Sequence, residues 1–118
     1  MARIGPMDVN TDKNTYHFVV YDLDGPIYNA PGVYIFSKGP PNAESINQHE
    51  LLYIGQTEGF RTRLNPNHEK WDRARDLGMN YIWVYVPRPT ESRFDIEDHL
   101  IEHFKPPLND YKRIALKS

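Results

Sequence analysis

The sequence predicts a small domain of the α/β (α+β) class, in which a sheet is flanked by helices. Short runs of aromatic and branched residues, typical of strands, recur along the chain. After the later runs, apolar residues recur at helical spacing. The predicted order is β-β-β-α-β-α. At 118 residues, the chain is expected to form one domain with a single core.

Four segments are predicted to be strands: residues 15–23, 32–36, 51–55 and 81–86. The first belongs to an N-terminal extension, residues 1–30, and is expected to flank the sheet before the turn signal Asp24-Gly25-Pro26. A polar loop with one glycine and two prolines joins the next two, which predicts that they pair antiparallel. The last has apolar or aromatic residues on both faces, so we expect it to be well covered.

Two helices are predicted, with residues 60–64 as a short helical turn before the first. The boundaries are marked by Asn65-Pro66 and Gly78 for the first helix, and by Thr90 or Ser92 and Lys105-Pro106-Pro107 for the second. Between these signals, apolar residues recur at helical spacing. Residues 110–118 are expected to be an ordinary tail.

Composition excludes several classes of site. The chain has no cysteine, so it holds no disulfide, thiolate nucleophile or cysteine-type zinc site, and any metal must be bound by oxygen or imidazole. The first twelve residues have no apolar signal core, and no run of 18 apolar residues occurs. We therefore expect a cytoplasmic protein that does not enter a membrane.

Positive charge is local in this chain, whose formal net charge is −2. One basic stretch runs from Arg61 to Arg75 and includes Lys70. It is enough for contact with a phosphate but not for a broad electrostatic footprint. On charge alone, a solvated helix face is the favoured alternative. If the partner is a nucleic acid, we expect short, single-stranded, branched or partner-presented substrates.

The last helix carries a carboxylate in an unexpected place. On a helical projection, one arc is apolar and consists of Phe94, Ile96, Leu100, Ile101 and Phe104, while the opposite arc consists of Asp95, Asp98, His99, Glu102 and His103. Glu97 falls inside the apolar arc. An ionised carboxylate facing a core is costly unless it is paired or binds a cation. A buried ion pair, with Arg63 as a candidate, and a cation site are both open.

The same helix contains a five-residue zinc-binding pattern. His99 to His103 reads H-x-x-E-H, the signature of inverted zincin peptidases. Both histidines share the polar arc, which is how a solvated helix face looks. Only 15 residues follow His103, so a peptidase is the third-ranked interpretation.

Five features along the chain together resemble the GIY-YIG nuclease superfamily. They are Gly32-Val33-Tyr34, Tyr53-Ile54-Gly55, Arg63 eight residues past that glycine, Glu97 on a helix, and Asn109 twelve residues further on. The resemblance covers a motif core of residues 31–109 within a single domain, 1–118. It implies a central three-stranded antiparallel sheet flanked by helices, to which residues 15–23 add an extra N-terminal strand.

The resemblance implies a metal-dependent endonuclease that hydrolyses phosphodiester bonds in DNA, with RNA not excluded. Glu97 would hold a single Mg²⁺ or Mn²⁺ ion. One of Tyr34 and Tyr53 would orient or deprotonate the attacking water while the other bonds the phosphate. Asn109 would position neighbouring side chains. Because family members choose targets through extra domains or insertions, a targeting protein or an oligomer is an expected partner.

The residues support this chemistry on their own terms. Strand alternation can place Tyr34 and Tyr53 on one sheet face. Gly55 would let a phosphate approach the backbone, and Arg63 would hold that phosphate with a forked contact. We expect further substrate contacts from Gln56, Arg61 and Lys70. Each residue also has a plain alternative, since most strand tyrosines pack and most arginines lie on the surface.

Two positions depart from the family pattern. Some restriction enzymes have a histidine four residues after the arginine, where this chain has Asn67, so His68 is a candidate proton shuttle or a packed histidine. Repair members often have lysine directly after the second motif's glycine, where this chain has Gln56. The alternative function is a non-catalytic nucleic-acid-binding or adaptor domain on the same scaffold.

Overall fold

A computed structural model describes residues 3–24, 26–41 and 43–109 of the chain. Its strands are β1 (Arg3–Asn10), β2 (Thr15–Tyr21), β3 (Gly32–Lys38), β4 (Glu50–Thr57) and β5 (Tyr81–Tyr85). Its helices are α1 (Phe60–Arg63), α2 (Trp71–Asp76) and α3 (Arg93–Phe104), and Ile46–Gln48 form one 3₁₀ turn. The predicted tail, residues 110–118, and Gly25 of the predicted turn lie outside the described residues.

The described strands form one antiparallel sheet in the order β1-β2-β5-β3-β4. The α+β class and the strands at 15–23, 32–36, 51–55 and 81–86 are confirmed to within a few residues. The expected three-stranded sheet is too small, because β2 pairs with β5 and β1 extends the sheet beyond β2. The N-terminal extension thus supplies two strands instead of one.

Strand β1 was not predicted because its residues give only a weak local signal for a strand. The strand contains Gly5 and Pro6, both of which are unfavourable inside a sheet. Its inward residues are nevertheless well placed, since Met7 lies opposite Phe18 and Val9 opposite Tyr16. Because β1 is at the edge of the described sheet, Pro6 is tolerated there.

Both faces of the sheet are covered. On one face, Ile96 and Leu100 of α3 pack in a core cluster with Val33, Ile35 and Trp83. On the other face, α1 and α2 supply Phe60, Leu64, Trp71 and Ala74 to a second cluster that contains Tyr34 and Phe36. Every residue of β5 is buried, as the sequence predicts, but Val86 of the predicted strand lies beyond β5 and is 48% exposed.

Helix α2 is shorter than predicted. The signals at Asn65-Pro66 suggest that it begins there, but it begins at Trp71. Residues 65–70 form turns, in which the Asn65 side chain accepts a hydrogen bond from the Asn67 amide at 2.9 Å. The asparagine signal is therefore real, but it starts a turn and not a helix.

Helix α3 begins and ends where the sequence predicts. Ser92 is the N-cap and accepts a hydrogen bond from the Asp95 amide at 3.4 Å, and Lys105 ends the helix with a φ of 49°. Ile96 and Leu100 are buried, whereas Phe94 is 53% exposed and does not belong to the buried face. None of the helices in the described ranges has the length and apolarity that crossing a membrane needs.

The free side of β4 is covered by the segment that follows α3. The Leu108 amide donates to the Leu52 carbonyl at 3.0 Å. Asn109 makes two further bonds to β4, described below. This arrangement satisfies backbone groups that an edge strand would otherwise expose.

Candidate active site

Tyr34 and Tyr53 lie on the same face of the sheet, on the neighbouring strands β3 and β4. Tyr34 is opposite Gly55 and Tyr53 is opposite Phe36, so the two phenols are diagonal neighbours in the ladder. The centroids of their rings are 6.1 Å apart. Tyr34 is only 1% exposed, whereas Tyr53 is half-buried. Tyr53 is therefore the more accessible phenol of the pair.

Gly55 is small because the ring of Tyr34 fills the space beside it. A Cβ built on Gly55 would lie 2.5 Å from both Cζ and Oη of Tyr34. Residue 55 is also buried. The absence of a Cβ at Gly55 therefore makes room for the Tyr34 ring across β4, and approach of a phosphate to its backbone stays a prediction.

His68 is buried in the loop before α2 and bonds directly to Tyr34. It is 4% exposed, and its Nε2 lies 2.7 Å from the Tyr34 Oη. The Nδ1 of His68 accepts a hydrogen bond from the Lys70 backbone amide at 2.9 Å, so Nδ1 carries no proton. The proton of the neutral ring must then be on Nε2, and Nε2–H donates to Tyr34.

The electrostatics of His68 agree with a neutral ring. Burial lowers its pKa from 6.5 to about 4, with the Arg63 charge as the second cause and Lys70 contributing in the same direction. The negative charge of Glu69 opposes the shift. Near neutral pH the imidazole is thus a fixed hydrogen-bond donor to the phenol.

Arg63, at the end of α1, connects the phenols to a surface carboxylate. Its Nη2 donates to the Glu69 Oε1 at 2.9 Å. The sequence suggested Glu97 as its ion-pair partner, and nothing in the linear pattern pointed to Glu69. Arg63 also acts on Tyr34, where its charge and hydrogen bonding oppose the rise in phenol pKa that burial causes.

The two phenols differ in how their surroundings treat a negative charge. Burial is the main cause that raises the pKa of each. For Tyr53, the charges of Glu69 and Glu97 add to this rise. The charge of Arg63 and the neighbouring Tyr34 oppose this rise. Tyr34 therefore supports negative charge on Tyr53, the more accessible oxygen.

Glu97 is half-buried on α3 and belongs to the same electrostatic cluster. Its negative charge contributes to the raised pKa of both Tyr34 and Tyr53. Helix α3 packs on the face opposite the phenols, over β3 and β4. The helix thus brings a carboxylate to the β4 side of the sheet. The charges of Glu97 and Arg63 thus both act on the two phenols, in opposite directions.

Gln56 is engaged by α3. Because side chains alternate along β4, Gln56 points to the face opposite Tyr53 and Gly55. Its Oε1 accepts a hydrogen bond from the Arg93 Nε at 2.8 Å. The predicted substrate contact of Gln56 therefore competes with a contact inside the protein, and Arg93 is a residue that the motifs did not reveal.

The other two residues predicted to contact substrate are Arg61 and Lys70, which precede and follow Arg63 along the chain. Arg61 is exposed, and its Nη2 donates to the Ile27 carbonyl at 3.3 Å. Lys70 is half-buried and is tied through its backbone amide to His68. Both stand on the same sheet face as Tyr53, because α1 and α2 pack there.

Asn109 fastens the segment after α3 to the strand that carries Tyr53. Its Nδ2 donates to the Ile54 carbonyl at 2.7 Å, and its Oδ1 accepts from the Ile54 amide at 2.8 Å. The side chain thus pairs with β4 as another strand would. Since Ile54 lies between Tyr53 and Gly55, Asn109 fixes the backbone beside the phenol.

The histidine pattern of α3 lies elsewhere. His99 Nε2 is 2.8 Å from the Thr11 Oγ1, and His103 Nδ1 is 3.8 Å from an Asp12 carboxylate oxygen. These contacts join α3 to the turn between β1 and β2, so this part of the predicted polar arc packs against protein. Across residues 3–24, 26–41 and 43–109, no group of three or more His, Asp or Glu is arranged to hold a metal.

Glu97 is suited to a cation of another kind. Mg²⁺ and Mn²⁺ prefer oxygen ligands, and Mg²⁺ is commonly bound through one or two carboxylates together with substrate phosphates and water. Such an ion does not need a cage of three side chains. A half-buried carboxylate within the electrostatic range of two phenols fits this mode of binding.

The fold and site define a small α+β domain with a cluster of two tyrosines, an arginine, a histidine and a glutamate. Comparisons with protein-family models, curated proteins and solved structures found no match. The resemblance to GIY-YIG nucleases therefore stays a prediction from the motif residues.

Proposed function

We propose that this chain is a metal-dependent endonuclease that hydrolyses phosphodiester bonds in DNA. The observation that carries the proposal is that the Tyr34 and Tyr53 rings lie side by side while the charges of Arg63 and Glu97, from two further elements, act on both phenols. Perturbed phenol pKa values with a guanidinium and a half-buried carboxylate acting on them are typical of sites that handle phosphate and protons.

Arg63 would hold the scissile phosphate. Its guanidinium is half-buried, stands beside Tyr34 and is oriented by Glu69. A guanidinium presents paired N–H donors that match the oxygens of a phosphate, which lysine cannot do. The same group would stabilise the negative charge that develops when a nucleophile attacks phosphorus.

Tyr53 is the phenol that we assign to the attacking water. A tyrosine with a usual pKa near 10 is a poor base unless its phenolate is stabilised. Here the Lys70 amide fixes His68 and His68 donates to Tyr34, and the neighbouring Tyr34 opposes the rise in the pKa of Tyr53 that burial causes. The charge of Arg63 opposes the same rise, yet the pKa of Tyr53 stays above its usual value, so this phenol would orient the attacking water.

Glu97 would bind the divalent ion. When bound, a Mg²⁺ or Mn²⁺ ion would supply charge neutralisation at the phosphate and at the departing oxygen. The carboxylate needs no other protein ligand for this role, because phosphate oxygens and water can complete the coordination.

The test is a cleavage assay on plasmid, single-stranded, duplex and branched DNA and on RNA, with Mg²⁺ or Mn²⁺. We expect DNA cleavage that depends on the metal and is abolished by chelation. Glu97→Gln should abolish it, whereas Glu102→Gln, an exposed position on the same helix, should not. No cutting of any substrate by the pure protein with either ion would contradict the proposal.

A second candidate, a non-catalytic nucleic-acid-binding domain, is favoured by one observation. Tyr34 is only 1% exposed and burial raises its pKa strongly, as in a packed core tyrosine. In that case Glu97→Gln would leave nucleic-acid binding and biological activity undiminished. The two functions therefore predict opposite outcomes for the same variant.

A further inference from the structure

Tyr28 is an exposed aromatic residue in the loop before β3. It is 62% exposed, the highest value among the large apolar side chains of the described ranges. Single exposed apolar residues are common on proteins and carry no meaning alone. The surroundings of this one are unusual, because its flanking residues are fixed.

The loop that carries Tyr28, residues 27–30, is tied to α1 at three points. The Arg61 Nη2 donates to the Ile27 carbonyl at 3.3 Å, the Arg61 amide donates to the Asn29 Oδ1 at 3.0 Å, and the Phe60 amide donates to the Ala30 carbonyl at 3.0 Å. Residues on both sides of Tyr28 are therefore held. An aromatic ring on such a loop loses little conformational entropy when it binds a ligand.

Ile27 places this loop next to the site. Its side chain is buried in the core cluster that also contains Tyr34, Phe60 and Leu64. Tyr28, the next residue, is exposed to solvent. The loop and α1 thus adjoin the core cluster that contains Tyr34.

Helix α1 divides its two arginines between the loop and the site. Arg61 and Arg63 are two residues apart, which on a helix corresponds to nearly opposite sides and a rise of about 3 Å. Arg63 bonds Glu69 and its charge acts on Tyr34, whereas Arg61 bonds the backbone of the 27–30 loop. A strand whose phosphate is held by Arg63 would continue past Arg61 and Tyr28.

The chemistry of this pair suits an unpaired base. An exposed ring offers a stacking surface to any base, and a neighbouring guanidinium adds contact with phosphate. In a duplex, the bases stack on one another and their faces are not available. With a formal net charge of −2, the chain also has little general attraction for nucleic acid, so stacking would have to supply affinity.

We propose that Tyr28 and Arg61 form a stacking platform for an unpaired nucleotide that neighbours the phosphate held by Arg63. This inference rests on the proposed function and narrows its substrate to DNA with a single-stranded segment at the cleaved bond. Tyr28 contacts the base, and Arg61 contacts the adjoining phosphate while it fixes the loop.

The experiment measures binding without cleavage, in EDTA. Single-stranded oligonucleotides carrying 2-aminopurine are titrated with protein, and both anisotropy and base fluorescence are recorded. Tyr28→Ala should weaken binding about 5- to 150-fold and abolish the change in 2-aminopurine fluorescence, because one base–aromatic stack is lost. Tyr28→Phe should retain both signals, since the ring is kept.

Phe94 is the matched control. It is similarly exposed, at 53%, but it lies on α3 beneath the Arg93 guanidinium, which is 4.7 Å from its ring centroid. Phe94→Ala should leave single-strand binding within about twofold of the parent. Tyr28→Ala should also leave the dependence of binding on salt unchanged, because tyrosine carries no charge that releases counterions.

The outcomes separate this inference from the proposed function. If single-strand binding depends on Tyr28 but the protein never cleaves, the stacking platform is supported and only the proposed nuclease function is contradicted. If Tyr28→Ala leaves cleavage or binding unchanged, the stacking platform is contradicted and the proposed nuclease function is not. Absence of any single-strand binding, or equal loss of duplex and single-strand binding in Tyr28→Ala, also overturns the inference.

Discussion

The Nε2 of His68 lies 2.7 Å from the Oη of Tyr34, and both residues are almost wholly buried. Because Nδ1 is occupied by the Lys70 amide, the imidazole is held as a donor to the phenol. The pair joins the loop before α2 to the centre of the sheet. It therefore serves the fold and the candidate site together.

Replacing His68 should affect both stability and activity. His68→Ala leaves the buried Tyr34 hydroxyl without its donor, which should lower the free energy of unfolding by about 1–3 kcal/mol. His68→Gln, whose amide N–H can still donate, should lose less. The checks are urea unfolding and the cleavage rate of each variant. Equal stability of His68→Ala and the parent would contradict the buried hydrogen bond.

Stability should also depend on pH through His68. Its folded pKa of about 4 lies below its usual 6.5, so the unfolded chain binds more protons between these values. The free energy of unfolding should therefore fall as pH drops from about 6.5 to about 4, by up to about 3 kcal/mol. Unfolding curves across this range would measure it. The His68→Gln variant should show a shallower fall, and an identical slope in both proteins would contradict this assignment.

Arg63→Lys should impair catalysis far more than folding. Lysine keeps the charge but cannot make the forked contact, so we expect the cleavage rate to fall about 10²- to 10³-fold. Stability should change by less than about 1 kcal/mol, because the bond to Glu69 is partly exposed to solvent. Arg73→Lys, at an exposed position on α2, is the control and should retain the parent rate.

The sequence predicted most of the fold because its strong signals are local. The aromatic and branched runs of β2 to β5 and the Ser92 cap of α3 all formed as expected. Strand β1 could not be predicted, because Gly5 and Pro6 obscure it and only its pairing with β2 stabilises it. Residues 65–70 were predicted to begin a helix, but they form turns, and from these turns His68 makes its buried bond to Tyr34.

The sequence could suggest the residues of the candidate site but not the side-chain contacts that they make. The spacing of the motifs identified Tyr34, Tyr53, Arg63 and Glu97, but side-chain contacts over long sequence separations leave no linear pattern. Glu69 as the partner of Arg63 is one such contact. Others are Arg93 bonding Gln56, and the ring of Tyr34 filling the space beside Gly55.

Gly55→Ala should displace Tyr34. The new methyl group would lie 2.5 Å from the phenol ring, so the ring or β4 must move, at a cost of about 1–3 kcal/mol. The displaced Tyr34 hydroxyl should also lose its bond to His68. The cleavage rate of the variant should therefore fall. A double-mutant cycle with Tyr34→Ala checks the cause, because Gly55→Ala should cost little once the ring is gone. Additive costs in the cycle would show that the ring is not the obstacle.

Asn109→Ala should loosen the strand that carries Tyr53. The variant loses both hydrogen bonds to Ile54, so the Ile54 amide and carbonyl are left without these partners. We therefore expect the free energy of unfolding to fall by about 1–3 kcal/mol. The most direct measurement is hydrogen exchange at the Ile54 amide, which should become faster in the variant. Asn29→Ala removes a single bond to the exposed Arg61 amide and is the control, with Ile54 exchange unchanged. If Ile54 exchanges equally slowly in Asn109→Ala and the parent, then Asn109 does not hold β4 in place.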